Sequence, residues 1–330
     1  MINITKLLVT GGAGFIGSFL AERLVEEGFD VLIIDNLSSG ELSRLRNVID
    51  RVKFIKDDLK NLSDPGGAFR GGVDTVFHLA ANPEVRISVT EPRTHFDENV
   101  VTTFNVLELS RKYGGVKNIV YASSSTVYGD AKIIPTPEDH PIQPISVYGA
   151  AKAAGEIMCG TYARLYGINC VVLRYANIVG PRLRHGIIYD LLMKLKKNPG
   201  ELEVLGDGTQ EKSYLYITDT IDATLKAWEY AVKNGGAYTY NVGNWDSISV
   251  RDIVSIVIKA SGFNPRINYK PATPDGRGGW PGDVKRMLLS IDKIVREVGW
   301  RPSMSSREAI ELTAKSLAEE LGVGNEGAHS

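Results

Sequence analysis

Tyr148 and Lys152 stand four positions apart in Ser146-Val147-Tyr148-Gly149-Ala150-Ala151-Lys152. In a helix that spacing puts both side chains on one face. An ammonium beside a phenol favours the phenolate, so Lys152 is expected to draw the Tyr148 pKa down toward neutrality. A tyrosine tuned in this way is a general base for an alcohol. The second chemical group is Thr10-Gly11-Gly12-Ala13-Gly14-Phe15-Ile16-Gly17, which follows an apolar β-branched run and opens a helical pattern. Gly11, Gly14 and Gly17 suit a tight turn, a close approach of backbone to a pyrophosphate, and close helix packing. Phe15 and Ile16 begin the helix whose N-terminus would face the phosphates. A dinucleotide and a base for a hydroxyl together point to hydride transfer at an alcohol carbon.

Further residues fit the dinucleotide. Asp35 ends the second apolar run in Asp35-Asn36-Leu37-Ser38-Ser39-Gly40. Its carboxylate would accept from the adenosine ribose and repel a 2'-phosphate, so NAD is expected over NADP, with Asn36, Ser38 and Gly40 beside it. Asp58 and Leu59, beyond the third run, could hold the adenine. Leu79, Ala80 and Ala81, after the fourth, are small enough for backbone to approach the cofactor. His78 reads as a hydrogen-bonded structural residue, and no His or Cys spacing suggests a metal.

The elements that must carry these groups alternate. Leu7–Val9, Val31–Ile34, Val52–Ile55, Val73–Leu79, Asn118–Ala122 and Cys170–Leu173 read as buried strands. Phe15–Glu27, Phe96–Tyr113 and Val147–Tyr166 carry helical periodicity between them. The expected class is α/β, a Rossmann-type doubly wound parallel sheet with a smaller C-terminal α/β substrate-binding region. Residues 1–180 would form the NAD-binding domain, its sheet completed by later segments. Residues 181–321 would be mostly the interleaved substrate region, and 322–330 a disordered tail. Lys plus Arg number 38 against 39 Asp plus Glu, a formal net charge of -1, so no basic field invites nucleic acid or an anionic membrane. Nowhere do about 18 apolar residues run together. Cys159 and Cys170 lie in apolar stretches and read as buried, inert thiols, consistent with a reducing cytoplasm.

The glycine loop, Phe77–Ala81, Ser123-Ser124-Ser125-Thr126-Val127-Tyr128-Gly129, Tyr148 with Lys152, and Arg174-Tyr175-Ala176-Asn177-Ile178-Val179-Gly180-Pro181-Arg182 form an ordered set. The set resembles the extended short-chain dehydrogenase/reductases, nearest to UDP-glucose 4-epimerase, over essentially the whole chain to Leu321. The resemblance implies Ser124 as the hydroxyl on the reacting sugar oxygen, Tyr148 as base and acid, and Lys152 on the nicotinamide ribose. It adds Asn99, Ser123 and Tyr175 near the cofactor and Ser125 near the substrate. Asn177 would contact a phosphate, the stretches Leu183–Ile188, with His185 and Gly186, and Val204–Gly208 would enclose the nucleotide base, and Arg182, Arg184 or Arg277 would compensate on the diphosphate for Lys212. Lys212 stands where the epimerases commonly have a diphosphate-binding arginine, and an ammonium cannot make the bidentate fork. Near Asp283, Trp280 replaces a family arginine, and Arg277 is the candidate substitute.

Dehydratases and decarboxylases of this superfamily carry an acidic residue or pair after the Ser/Thr at this strand end. Here Ser125 and Thr126 stand there, which leaves epimerisation. The expected reaction interconverts UDP-glucose and UDP-galactose through a 4-keto intermediate by reversible hydride transfer, with NAD bound and regenerated. UDP-N-acetylhexosamines or UDP-uronic acids are the alternative substrates, with Met287 near the family's gate for a 2-acetamido group. A non-catalytic NAD-binding scaffold is the reading from a different class. A homodimer is expected through the Ala151, Ala154 and Gly155 face of Val147–Tyr166 together with Phe96–Tyr113.

Overall fold

The computed structural model describes residues 6–61, 63–270 and 284–324. Among them, seven strands form one parallel sheet in the order β11-β6-β5-β4-β1-β2-β3. These are β1 (Lys6–Thr10), β2 (Asp30–Asp35), β3 (Lys53–Lys56), β4 (Thr75–His78), β5 (Asn118–Ser124), β6 (Asn169–Tyr175) and β11 (Ala237–Val242). The interiors of the central strands β1, β2 and β6 are apolar because both faces are covered. Leu7, Val9, Val31 and Ile33 face one helical layer, which includes α1 (Phe15–Glu26) and α6 (Ile217–Asn234). Leu8, Leu32 and Ile34 face the other, built on α3 (Thr102–Tyr113) and α4 (Val147–Tyr166). The chain reverses direction across the sheet between the neighbours β1 and β4, so their C-terminal ends open a crevice where ligands of such sheets bind.

The segment expected as a helix over Phe96–Tyr113 begins earlier and is not uniform. A short α2 (Pro92–His95) runs into a π-helical turn, Phe96–Val101, before α3. Pro92 has no amide to leave unpaired at a helix start, and the backbone N–H of Thr102 reaches back to the Asp97 carbonyl, five residues earlier. Beyond β6, a second apolar core gathers α5 (Gly186–Lys197), α7 (Val250–Ser261) and α9 (Ser306–Leu321). Small sheets accompany it. β7 (Asn177–Val179) pairs with β10 (Tyr214–Tyr216), and β8 (Glu201–Leu205) with β13 (Arg266–Lys270). β9 (Glu211–Lys212) pairs with β12 (Ile248–Ser249) and β14 (Arg286–Met287). α8 (Asp292–Val298) returns to the main sheet beside β11, with Ile294 in its core. Cys159 and Cys170 are buried free thiols. Residues 325–330 of the expected tail lie outside the described residues. No helix among those described is long and apolar enough to cross a membrane.

Candidate active site

A cleft of about 820 Å³ runs along the carboxyl ends of β1, β2, β4, β5 and β6 to α5 and β9. Its floor is the glycine loop. Gly11 has φ +69°, and a Cβ there would lie 2.8 Å from the Ala80 amide nitrogen. A Cβ on Gly17 would come within 2.2 Å of the Gly11 carbonyl oxygen. The loop therefore closes against the β4 loop and α1 only with hydrogens at these positions. α1 starts after Gly14 with no side-chain cap, so the amides of its first turn are left for a ligand. At the far end Asp35 accepts from the Ala13 amide (2.9 Å) and the Leu37 amide (2.8 Å). Burial raises its pKa against those two bonds and the Arg44 guanidinium. Two backbone bonds leave lone pairs on this carboxylate for ribose hydroxyls. Asn36 donates to Asp58 (3.2 Å), so the segments beyond β2 and β3 are tied together. These features fit NAD.

α4 supplies the chemistry. Its N-cap Ser146 accepts from the Gly149 amide at 3.1 Å, which sets the first turn that carries Tyr148. Lys152, one turn on, donates to the Ala122 carbonyl of β5 at 2.8 Å. Its Nζ lies 5.9 Å from the Tyr148 ring centroid. Tyr148 is within hydrogen-bonding reach of Ser124. Ser124 Oγ in turn accepts from the Thr126 amide (3.2 Å) and hydroxyl (3.0 Å), which leaves its own proton to donate.

The electrostatics correct one expectation. Tyr148 is not drawn toward neutrality; burial pushes it up to about 12, opposed only by the Ser124 hydrogen bond. Lys152 is itself brought down to about 8 by burial, against the pull of Cys159 and Glu156, and its ammonium is directed at the Ala122 carbonyl. As it stands Tyr148 carries its proton. That is the form that protonates a keto oxygen, and the base form requires further positive charge at the ring.

Most residues singled out from the sequence line this cleft. Gly11, Gly14, Phe15, Ile16, Gly17, Asp35, Asn36, Ser38, Gly40, Asp58, Leu59, Leu79, Ala80, Ala81, Ser123 and Tyr175, the expected cofactor residues, do so, as do Ser124, Tyr148 and Lys152. Ser125, Asn177, Arg184, His185, Gly186, Val204 and Lys212 line the other end. Their side chains are partly committed. Ser123 donates to Glu156, Tyr175 bonds Thr224 (2.8 Å), Asn177 donates to the Ser213 carbonyl (3.0 Å), and Arg184 pairs with Glu320 (3.0 Å).

Two residues are elsewhere. Arg182, at φ +67°, is turned onto α1, where it pairs with Glu22 (3.0 Å), donates to the Arg44 carbonyl (3.1 Å) and stacks over Phe19. Asn99 is buried behind the wall, accepting from the Asn82 amide (2.8 Å) and facing His95 (3.2 Å). Arg277, Trp280 and Asp283 lie outside the described residues. His78 is buried between Thr10 (2.8 Å) and Thr103 (3.0 Å) as a structural link. The sequence reading missed the wall formed by Asn82, Glu84 and Arg86, whose only signal was a polar run after Ala80-Ala81, and Arg44 beside Asp35. Arg86 reaches across to Asp190 of α5 at 3.2 Å. Among the described residues no three His, Cys, Asp or Glu side chains group to hold a metal.

Residues 7–243 match the NAD dependent epimerase/dehydratase family. A crystal structure of a UDP-galactose 4-epimerase superposes with TM-score 0.86 at 51% identity, covering 96% of this chain and 100% of that one. The UDP-glucose 4-epimerase of Mycolicibacterium smegmatis is 33% identical over 320 residues, 94% of this chain and 97% of the relative. The UDP-glucuronic acid 4-epimerase of Bacillus cereus, solved with UDP-glucuronic acid and NAD, is 29% identical with TM-score 0.84, covering 96% and 100%.

Proposed function

Because the chain belongs to the NAD dependent epimerase/dehydratase family, we propose that it is a UDP-sugar 4-epimerase whose substrates are UDP-glucose and UDP-galactose. The observation that carries this reading is the meeting of Ser124, Tyr148 and Lys152 with the glycine loop in one cleft, with the hydroxyl residues Ser125 and Thr126, and not carboxylates, following Ser124. NAD, when bound, supplies the hydride-accepting ring and its positive charge. Gly11, Gly14, Gly17 and the first turn of α1 would hold its phosphates, and Asp35 and Asp58 its adenosine.

Tyr148 takes the proton of the 4-hydroxyl and gives it back to the ketone oxygen. Ser124, its lone pairs occupied by Thr126, donates to that same oxygen and holds it in place. Lys152 keeps a positive charge beside Tyr148 and is anchored to β5 by Ala122. Residues from Asn177, Leu183–Ile188, Val204 and Lys212 would hold the UDP. For the ketone to be reduced on its other face the sugar must turn, so binding energy belongs on the UDP and not on the sugar.

The test is to incubate the purified protein with UDP-galactose, UDP-N-acetylgalactosamine and UDP-galacturonic acid separately. Conversion of UDP-galactose to UDP-glucose, faster than of either other sugar, is expected. Preferential conversion of the uronate would transfer the reading to the class of the Bacillus cereus relative, and no conversion of any would remove it.

The apolar face left on α3 and α4 supports assembly with a second copy. Ala151 and Gly155 are not on it, since Ala151 is buried and a Cβ at Gly155 would meet the Tyr121 hydroxyl of the same subunit. Phe104, Ile157 and Leu165 are exposed instead. A dimeric mass in solution that Ile157→Glu abolishes is the expected result.

A further inference from the structure

His95 packs on Tyr148 with its ring perpendicular, at 88° and 5.7 Å between centroids. It is fully buried at the end of α2 and lines no part of the cleft. Its hydrogen bonding is one-sided. Asn99 Oδ1 accepts from the Asn82 amide, and this bond fixes which way the Asn99 carboxamide points. The amide nitrogen of Asn99 therefore faces His95 Nδ1, at 3.2 Å. An NH2 group only donates, so Nδ1 accepts, and the neutral ring carries its proton on Nε2. That Nε2–H has no partner within hydrogen-bond distance. Neither has the hydroxyl of Ser88, in the 3-10 turn Val85–Val89 that packs on both α2 and α4.

A histidine touching the acid–base tyrosine would ordinarily suggest a proton relay. Here one ring nitrogen is already an acceptor for Asn99, and the acceptor near the other is the Glu84 backbone carbonyl, which cannot pass a proton on. Burial also keeps the ring below its usual pKa. The charged groups around it are Glu84 on the cleft loop and Glu98 on the π-helical turn, which favour protonation, and Lys152 on α4, which opposes it. With no path for a proton through the imidazole, what remains is its shape. The same layer is linked to the cleft, because Asn82 lines it and also donates to Glu98 at 3.0 Å. Cleft wall, Asn99, His95 and Tyr148 are thus joined in one stack.

We propose that His95 is a positioning residue for Tyr148: a neutral imidazole, held in one tautomer by Asn99, whose plane keeps the phenol ring turned toward Ser124. Asn99 acts through His95 in this arrangement. The inference rests on Tyr148 being the acid–base group of the epimerase reading.

The experiment compares wild type, His95→Ala, His95→Phe and Tyr148→Phe for kcat, KM for UDP-galactose, NAD content and the pH profile of kcat/KM. A reacting group displaced by about 1 Å loses on the order of 10²-fold in rate, so His95→Ala is expected to lose about 10- to 100-fold in kcat while KM and NAD content stay within about twofold. His95→Phe keeps a planar ring and is expected to recover to within about fivefold of wild type, with the acid limb of the pH profile unmoved. Where His95→Ala does not fold, His95→Leu, which fills the volume without a plane, is expected to show the same kcat loss. Wild-type kcat in His95→Ala or His95→Leu, with Tyr148→Phe inactive, overturns the positioning role alone. An ionisation near neutrality that disappears in His95→Phe also overturns it, since His95 would then be titrating. Turnover in Tyr148→Phe removes the reading underneath.

Discussion

Gly17→Ala tests the dinucleotide floor with a perturbation whose size is set by the structure. The added Cβ would sit 2.2 Å from the Gly11 carbonyl oxygen and 2.8 Å from Gly12 Cα, where ordinary contact begins at 3.4 Å. Both atoms are backbone, so relief requires the glycine loop to move by roughly 1 Å. That loop carries the amides meant for the phosphates. Overpacking of this kind costs about 1–3 kcal/mol. If it falls on the bound state, NAD affinity drops by about 5- to 150-fold, at roughly 1.4 kcal/mol per factor of ten. The assay is NAD released by acid per subunit after purification, with the rise in Tm on adding NAD as a second measure. Two other glycines calibrate it. At Gly12 the clash is with the Ile33 side chain at 2.6 Å and not with the backbone of the glycine loop, so Gly12→Ala should lose less NAD. At Gly160, inside α4, a Cβ meets nothing within 4 Å, and Gly160→Ala should gain about 0.5–1 kcal/mol of stability without changing NAD content. A Gly17→Ala protein that retains NAD like wild type, or ranks above Gly12→Ala, would refute the reasoning.

Ser124→Ala should lower kcat by about 10²–10⁴-fold in the UDP-galactose assay, and an unchanged rate would leave Ser124 only as the cap of the turn Ser125–Tyr128. His78 is held down to about 3 by burial, against an ordinary 6.5, so the unfolded chain takes up this proton first as pH falls. Its contribution to stability is complete above pH 6.5 and is lost toward pH 3, by up to about 1.4 kcal/mol per pH unit. Denaturant midpoints between pH 7 and 5 should fall less steeply in His78→Gln than in wild type, and equal slopes would contradict this. Glu156 and Arg174 form a buried pair at 2.7 Å. Glu156→Ala should cost about 3–5 kcal/mol in guanidinium unfolding, while replacing both by Leu and Met should recover much of the loss.

The sheet was legible because both of its faces are covered, which makes β1, β2, β5 and β6 continuous apolar runs with no polar alternation to confuse them. The glycine loop was legible because its constraint is local. Gly11 and Gly17 meet atoms of their own loop and of the neighbouring β4 loop. Other features depend on tertiary contacts that spacing does not encode. The Tyr148 pKa is set by burial, and the sequence offered only its neighbour Lys152. Arg182 has the same residue type and motif position as a cleft cation, but a left-handed backbone turns it to Glu22 on α1. Asn99 sits where a regular 3.6-residue period was expected, and the π-helical turn Phe96–Val101 changes which side chains face inward. The bond that Arg174 donates to Glu156 joins β6 to α4, and nothing in either segment marks the other as its partner.

The central claim is that the Tyr148 phenol moves the hydroxyl proton of a UDP-hexose. Tyr148→Phe removes one oxygen from a buried ring and leaves the glycine loop and Asp35 untouched, so the variant should purify with as much NAD as wild type. Followed by NMR of the two anomeric signals, its conversion of UDP-galactose should be slower by about 10³-fold or more. Conversion at the wild-type rate would contradict the account.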